Sequence, residues 1–186
     1  MNKNIISLAG DIASGKGSVS NILSNKLNYT IYRNGEYFRS LAKEMNMSVK
    51  DFNIYCKSHP EIDLKIEQSA KLHSENNNNV IIDARLGWYA VPHSFKVYLT
   101  VNLDEAAKRV FNDISRGEVE KYSSVEETKE NIAERFKLEN ERYFKLYNVR
   151  KDDMSNYDLV LDTTNITPET ASNIICEEYN KWLKNI

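Results

Sequence analysis

Nine residues near the start of the chain constrain its fold more than any other stretch: Gly10-Asp11-Ile12-Ala13-Ser14-Gly15-Lys16-Gly17-Ser18. Three of the chain's six glycines fall inside it. An apolar run, Lys3 to Ala9, precedes it and reads as a buried strand. Val19, Ile22, Leu23 and Leu27 follow at helical spacing. A strand, a glycine-rich turn and a helix N-terminus form a cradle for a triphosphate. Glycines let backbone N–H groups point inward without Cβ clashes. The helix end adds the positive pole of its dipole, and the lysine reaches the β- and γ-phosphates. ATP is thus expected on Gly10, Asp11, Ala13, Ser14, Gly15, Lys16, Gly17 and Ser18. The bland reading, a turn with a stray lysine, leaves the flanking strand and helix unexplained.

The usual loop of this kind has Ser or Thr directly after the lysine, as a ligand for Mg²⁺. Here Gly17 intervenes and Ser18 carries the hydroxyl. Mg²⁺ is then expected mainly on phosphates, water and a nearby carboxylate. Asp83 is the natural one, because it ends the apolar run Val80-Ile81-Ile82, a strand that should lie beside the first. The competing reading is an ordinary acid at a strand end.

Further along, Tyr29–Tyr32, Lys96–Val101 and Asp158–Asp162 read as strands. Phe38 to about Lys57 and Glu61–Glu75 read as helices, with the polar tract Asn76–Asn79 as a loop. Asp104 is expected to cap a helix that runs to Arg116 and stops at Gly117. Ser123 or Ser124 opens a long helix to about Leu146, and Thr167-Pro168 starts the last one. Strands alternating with helices predict an α/β, three-layer domain: a five-stranded parallel sheet with helices on both faces. Ligands of such sheets sit beyond the carboxyl ends of the strands.

A length of 186 residues favours one domain. A formal net charge of −2 lacks the basic field of a nucleic-acid binder. No apolar run is long enough to span a bilayer. Cys56 and Cys176 lack metal-ligand spacing and read as thiols of a reducing compartment, which makes the cytoplasm the expected location. No exposed apolar stripe argues for an obligate dimer, so a monomer is expected. His59, His73 and His93 show no ligand spacing, and Tyr37, Phe38, Trp88 and Tyr89 read first as core aromatics.

The remaining glycines each have an arginine close by: Gly35 with Arg39, Gly87 with Arg85, and Gly117 with Arg116. Arginine grips phosphate bidentately, and phosphoryl transfer needs cationic donors around the moving group. Arg39 and Arg85 follow strands or turns at the ligand edge. Arg135, Glu139 and Arg142, at i, i+4 and i+7, share one helix face. Taken alone that trio could be a solvated ion-pair ladder or a polar reader of a base or phosphate.

In motif order, nearly the whole chain resembles the cytidylate kinase family, in particular its short, archaeal-type branch. The Gly-Lys-Gly-Ser form of the loop is what nucleoside monophosphate kinases show. Asn34-Gly35-Glu36-Tyr37-Phe38-Arg39 is similar to the family's Ser-Gly-x-x-[Tyr/Phe]-Arg segment, and Asp83-Ala84-Arg85-Leu86-Gly87-Trp88 to its Gly-Arg-Leu-x-Gly-Trp or Asp-Gly-Arg-Asp segment. The resemblance implies that Asn34, Gly35 and Arg39 hold the acceptor nucleotide and that Arg85 grips its phosphate. Arg135-x-x-x-Glu139-x-x-Arg142 is similar to an Arg-x-x-x-Asp-x-x-Arg helix. There the first arginine and the acid read cytosine, and the last arginine serves the phosphates. Asn34 for serine, Glu139 for aspartate and Ala84 for glycine are departures that bear on base preference and leave phosphoryl transfer intact.

The expectation is an ATP:(d)CMP phosphotransferase with a small nucleotide as its partner. Lys16, Arg85, Arg109, Arg116 and Arg142 would act on the transferring phosphate. Residues 34–75 would form an acceptor-binding segment, and about 109–135 a lid over ATP. Two alternatives stand beside it. One is a small kinase for another nucleotide or for a hydroxyl acceptor such as shikimate, with Asp11, Glu36 or Asp63 as base. The other is an ATP-binding regulatory protein without turnover, in which the arginine set would have no task.

Overall fold

The structure is a computed structural model, and it describes residues 4–56, 58–113 and 122–185. Five strands form one sheet: β1 (Ile5–Gly10), β2 (Thr30–Arg33), β3 (Val80–Asp83), β4 (Phe95–Thr100) and β5 (Leu159–Asp162). Their order is β2-β3-β1-β4-β5 and every pairing is parallel. The α/β reading of the sequence therefore holds. The central strands β1 and β3 are buried almost throughout, which is why they read as unbroken apolar runs rather than alternating ones.

Helices cover both faces. On one, α1 (Lys16–Leu27) and α8 (Pro168–Leu183) close over Ile6, Leu8, Val97 and Leu99 through Val19, Leu23, Ile175 and Tyr179. On the other, Ile5, Val80 and Ile82 pack with Ala70 of α4 (Pro60–Asn76) and Ala90 of the short α5 (Gly87–Ala90). Two helix groups stand outside these layers. α2 (Asn34–Glu44) and α3 (Val49–Cys56) pack with α4 around Phe52 and Ile66. α6 (Leu103–Asn112) packs on α7 (Val125–Tyr147) through Ala106, Val110 and Ile132.

Two expectations change. The single helix from Phe38 to about Lys57 is two, and the first begins four residues earlier at Asn34. Asn46 takes left-handed φ at 53°, and Met47 N–H returns to the Ala42 carbonyl at 2.9 Å, which closes α2. Ser48 then restarts the chain: its hydroxyl accepts from Asp51 N–H at 3.1 Å and donates to the Asp51 carboxylate at 2.6 Å, a reciprocal cap. Asp104 is not a cap either; Asn102 is, accepting from Asp104 N–H at 2.8 Å. Gly117, expected to stop that helix, lies outside the described residues.

The long helix starts at Ser124, whose side chain accepts from Glu127 N–H, while Glu127 accepts from Ser123 N–H at 2.6 Å. Thr167 caps α8, with Pro168 at its first turn. Among the described residues no helix is long and apolar enough to cross a membrane.

Candidate active site

The carboxyl ends of β1, β2 and β3 open into one cavity of about 640 Å³, lined by the whole run from Gly10 to Ser18. Gly10 is dictated by space: a Cβ there would lie 2.7 Å from the Leu99 carbonyl and 2.8 Å from Ser14 Oγ. Gly15 is dictated by conformation, with φ at +81° directly before α1. Ala13 also sits in the left-handed region, at φ 63°, where a non-glycine is strained.

Side chains outside the loop hold that shape. Asp11 accepts from the Tyr98 hydroxyl at 2.6 Å and from Val101 N–H at 3.2 Å. Its carboxylate ties the loop to β4 and the residue after it. Arg109, expected on a lid, instead spends its donors on main-chain carbonyls. It donates to Ala13 at 3.1 Å, to Thr163 at 3.0 Å and to Thr164 at 2.9 Å, and its Nε lies 2.9 Å from Glu105. Arg109 thereby joins the loop to the segment after β5. A hollow of about 290 Å³ opens there, between Gly15, Arg109, Thr163 and Pro168. Arg116, the other lid arginine, lies outside the described residues.

Lys16 extends to Asp83 and forms an ion pair with it. Burial, and the charges of Arg85 and Arg33, pull the Lys16 ammonium down to about 7. The Asp83 carboxylate opposes that shift by favouring the charged form. Asp83 is only 7% exposed and lies opposite Leu8 of β1 in register, as its place at the end of β3 implied. Arg33 Nε stands 3.7 Å from the same carboxylate. Ser18 lies exposed on the cavity wall. A buried carboxylate and a hydroxyl on either side of the lysine are the hard oxygen donors that suit Mg²⁺.

The same cavity is also lined by Asn34, Gly35 and Arg39 from α2, Arg85 after β3, and Arg135 and Glu139 from α7. The helix trio divides. Arg135 and Glu139 line the cavity, whereas Arg142, two turns beyond Arg135, pairs with Asp63 of α4 at 3.7 Å and lies over the Tyr143 ring. Arg142 therefore braces α7 against α4 instead of meeting the phosphates directly. Glu139 Oε1 lies 3.2 Å from Arg85 Nη2, and its Oε2 accepts from Lys151 Nζ at 2.5 Å. Each oxygen thus already has one cationic partner and keeps a lone pair free to accept from another donor.

Behind Asn34 sits Glu67, which accepts from Asn34 Nδ2 at 3.3 Å. Asn34 Oδ1 and Glu67 Oε2 are buried without partners. Burial, then the charge of Asp63, push the Glu67 carboxyl up to about 7, so it is half protonated near neutrality.

Arg33, Asp113 and Lys151 also line the cavity and escape a reading of the sequence. Arg33 is within reach of one: it ends β2 as Asp83 ends β3, and the expected strand stops one residue short of it. Lys151 carries no signal, since Arg150-Lys151-Asp152-Asp153 looks like a solvated turn.

Comparison with known proteins agrees with this geometry. The profile of the cytidylate kinase-like family matches residues 5–165. The chain is 35% identical to a cytidylate kinase of Thermoplasma acidophilum, over 88% of this chain and 85% of that one. It is 36% identical to the cytidylate kinase of Thermoplasma volcanium, over 91% and 88% of the respective chains. A shikimate kinase from Bacteroides thetaiotaomicron superposes with a TM-score of 0.61 over 94% of this chain and 97% of that one. At 13% identity that likeness concerns the fold, a phosphate-loop kinase fold, alone.

Proposed function

Because the chain belongs to the cytidylate kinase-like family, we propose that it moves the γ-phosphate of ATP onto a nucleoside monophosphate, with CMP or dCMP as the preferred acceptor. One observation carries this reading. A single cavity is lined by the phosphate loop with Lys16 and also by Arg39, Arg85 and Arg135. A donor and an anionic acceptor can meet between them.

The donor triphosphate lies along the N–H groups of residues 13–18 at the start of α1, where the dipole favours it. Lys16 exchanges Asp83 for the β- and γ-oxygens, and the hollow beside Arg109 and Pro168 gives the adenine room. Asp83 and Ser18 would hold Mg²⁺, which when bound neutralises charge on the donor phosphates. Arg39 and Arg85 orient the acceptor phosphate in line with the γ-phosphorus. That phosphate is already anionic at neutral pH, so no general base is required. Catalysis then consists of positioning and charge stabilisation.

The three acids that the sequence offered as a base for a hydroxyl acceptor each have a partner in the structure. Asp11 is bound to Tyr98 and Val101, Glu36 pairs with Arg33, and Asp63 pairs with Arg142. ADP release with ATP–Mg²⁺ against CMP, dCMP, UMP, AMP, GMP and shikimate tests the proposal. Turnover greatest on CMP or dCMP is expected. Turnover greatest on shikimate would overturn the acceptor class, and ATP binding with no transfer to any acceptor would favour a regulatory protein. Arg85→Ala should keep ATP binding and lose transfer.

A further inference from the structure

Lys151 is a cavity cation to which the proposed reaction gives no task. It lies between α7 and β5 and is only 3% exposed. Three contacts anchor it. Its N–H donates to Asn140 Oδ1 at 3.0 Å, its carbonyl accepts from the Tyr157 hydroxyl at 2.9 Å, and its ammonium stands 4.4 Å from the centre of the Phe136 ring. The ammonium donates to one oxygen of Glu139 at 2.5 Å, while the other oxygen faces Arg85 at 3.2 Å. Glu139 is 13% exposed and Arg85 48%. One carboxylate is thus shared between a fixed, buried cation and a long, exposed one that reaches into the cavity.

We propose that Lys151 is a positioning residue of the acceptor side: it keeps Glu139 neutralised, so that Arg85 can give its guanidinium to the acceptor phosphate. The inference rests on the function proposed above. A buried carboxylate keeps a partner, because leaving it unpaired is costly. With Lys151 in place the Arg85–Glu139–Lys151 cluster carries one net positive charge, and Arg85 can leave Glu139 without stranding it. Without Lys151 the Arg85–Glu139 pair is neutral, Glu139 is left to Arg85 and to the charge of Arg135, and the incoming dianion meets a carboxylate less fully neutralised. Lys151 itself need not touch the substrate.

Steady-state kinetics with ATP and CMP, and calorimetric binding of CMP alone, test this on wild type, K151M, K151R, E139Q and E139Q/K151M. In K151M, the CMP KM and Kd should rise about tenfold while the ATP KM stays within about twofold and kcat within about threefold. K151R keeps the charge and should stay within about threefold of wild type. In the Glu139→Gln background the Lys151→Met change should cost less than about twofold, since no carboxylate remains to be neutralised. A loss that persists in full in that background, or that falls equally on ATP, would overturn the proposal. If a thermal melt finds K151M unfolded, K151R and the comparison of E139Q with the double variant decide by the same limits. Wild type that neither binds nor phosphorylates CMP defeats the functional reading and this inference with it. Wild type active on CMP with an unmoved CMP KM in K151M defeats this inference alone.

Discussion

The two walls of the cavity hold their shape by different means. The donor wall is main chain: Gly10 has no room for a side chain, Gly15 and Ala13 sit at positive φ, and Arg109 clamps three carbonyls. The part proposed for the acceptor is side chain, assembled from α2, α7 and the turn after β3, held by the ion pair Arg85–Glu139 and braced behind by Arg142–Asp63. Backbone N–H groups cost no reorganisation when phosphates arrive. Long charged side chains must exchange partners, so that wall can be tuned by substitution without loss of the fold.

Perturbing one wall at a time should separate the two. The largest effect belongs to Lys16→Met, expected to lower kcat/KM for transfer by about 10³-fold while CMP binding stays near wild type by calorimetry. Equal loss of CMP binding would break the division. Gly10→Ala should destabilise the fold by about 2–3 kcal/mol, because the obstacle is the Leu99 carbonyl of the neighbouring strand. A thermal melt lowered by roughly 5–10 °C would report it.

On the other wall, Glu67 gives a pH signature. Its folded value of about 7 stands above the ordinary 4.5, so the folded chain binds the extra proton between those limits. The stability it contributes is therefore lost as pH rises through that window. Glu67→Gln should match wild type below pH 4.5 and exceed it by about 3 kcal/mol at pH 8, measured by urea unfolding. A difference independent of pH would show that Glu67 is not held protonated. Smallest, Arg109→Lys should raise the ATP KM by about tenfold and leave the acceptor KM unchanged, since a lysine cannot bridge Ala13, Thr163 and Thr164 together.

The same contrast governs how much of each wall is legible in the amino-acid sequence. The donor wall is contiguous along the chain, so glycine spacing, a preceding apolar run and Lys16 announce it. The parallel sheet and its buried central strands follow from the same kind of run, and Asp83 is placed by its position at a strand end. The acceptor wall is scattered. Arg39, Arg85, Arg135 and Glu139 are found by motif order, but nothing in one dimension reveals that Glu139 is divided between Arg85 and Lys151. The contacts of Arg109 are hidden too, because helix position indicates which side a guanidinium faces and not that three carbonyls wait for it. The break at Asn46 is hidden because a polar residue inside a helical pattern gives little warning of left-handed φ.

The central place of β1 has a consequence for the order of assembly. The strand is made first, yet its partners are Val80–Asp83 on one side and Phe95–Leu99 on the other. During synthesis it must wait, unpaired, until both have left the ribosome. Asp11 N–H reaches the Leu99 carbonyl at 2.9 Å, so the loop too lacks its anchor until then. Long-range parallel pairing is slow and leaves apolar segments exposed meanwhile. Ile5-Ile6-Ser7-Leu8-Ala9 is therefore the segment of the nascent chain with most need of chaperone cover, and the capacity to hold ATP arrives only with the second half of the chain.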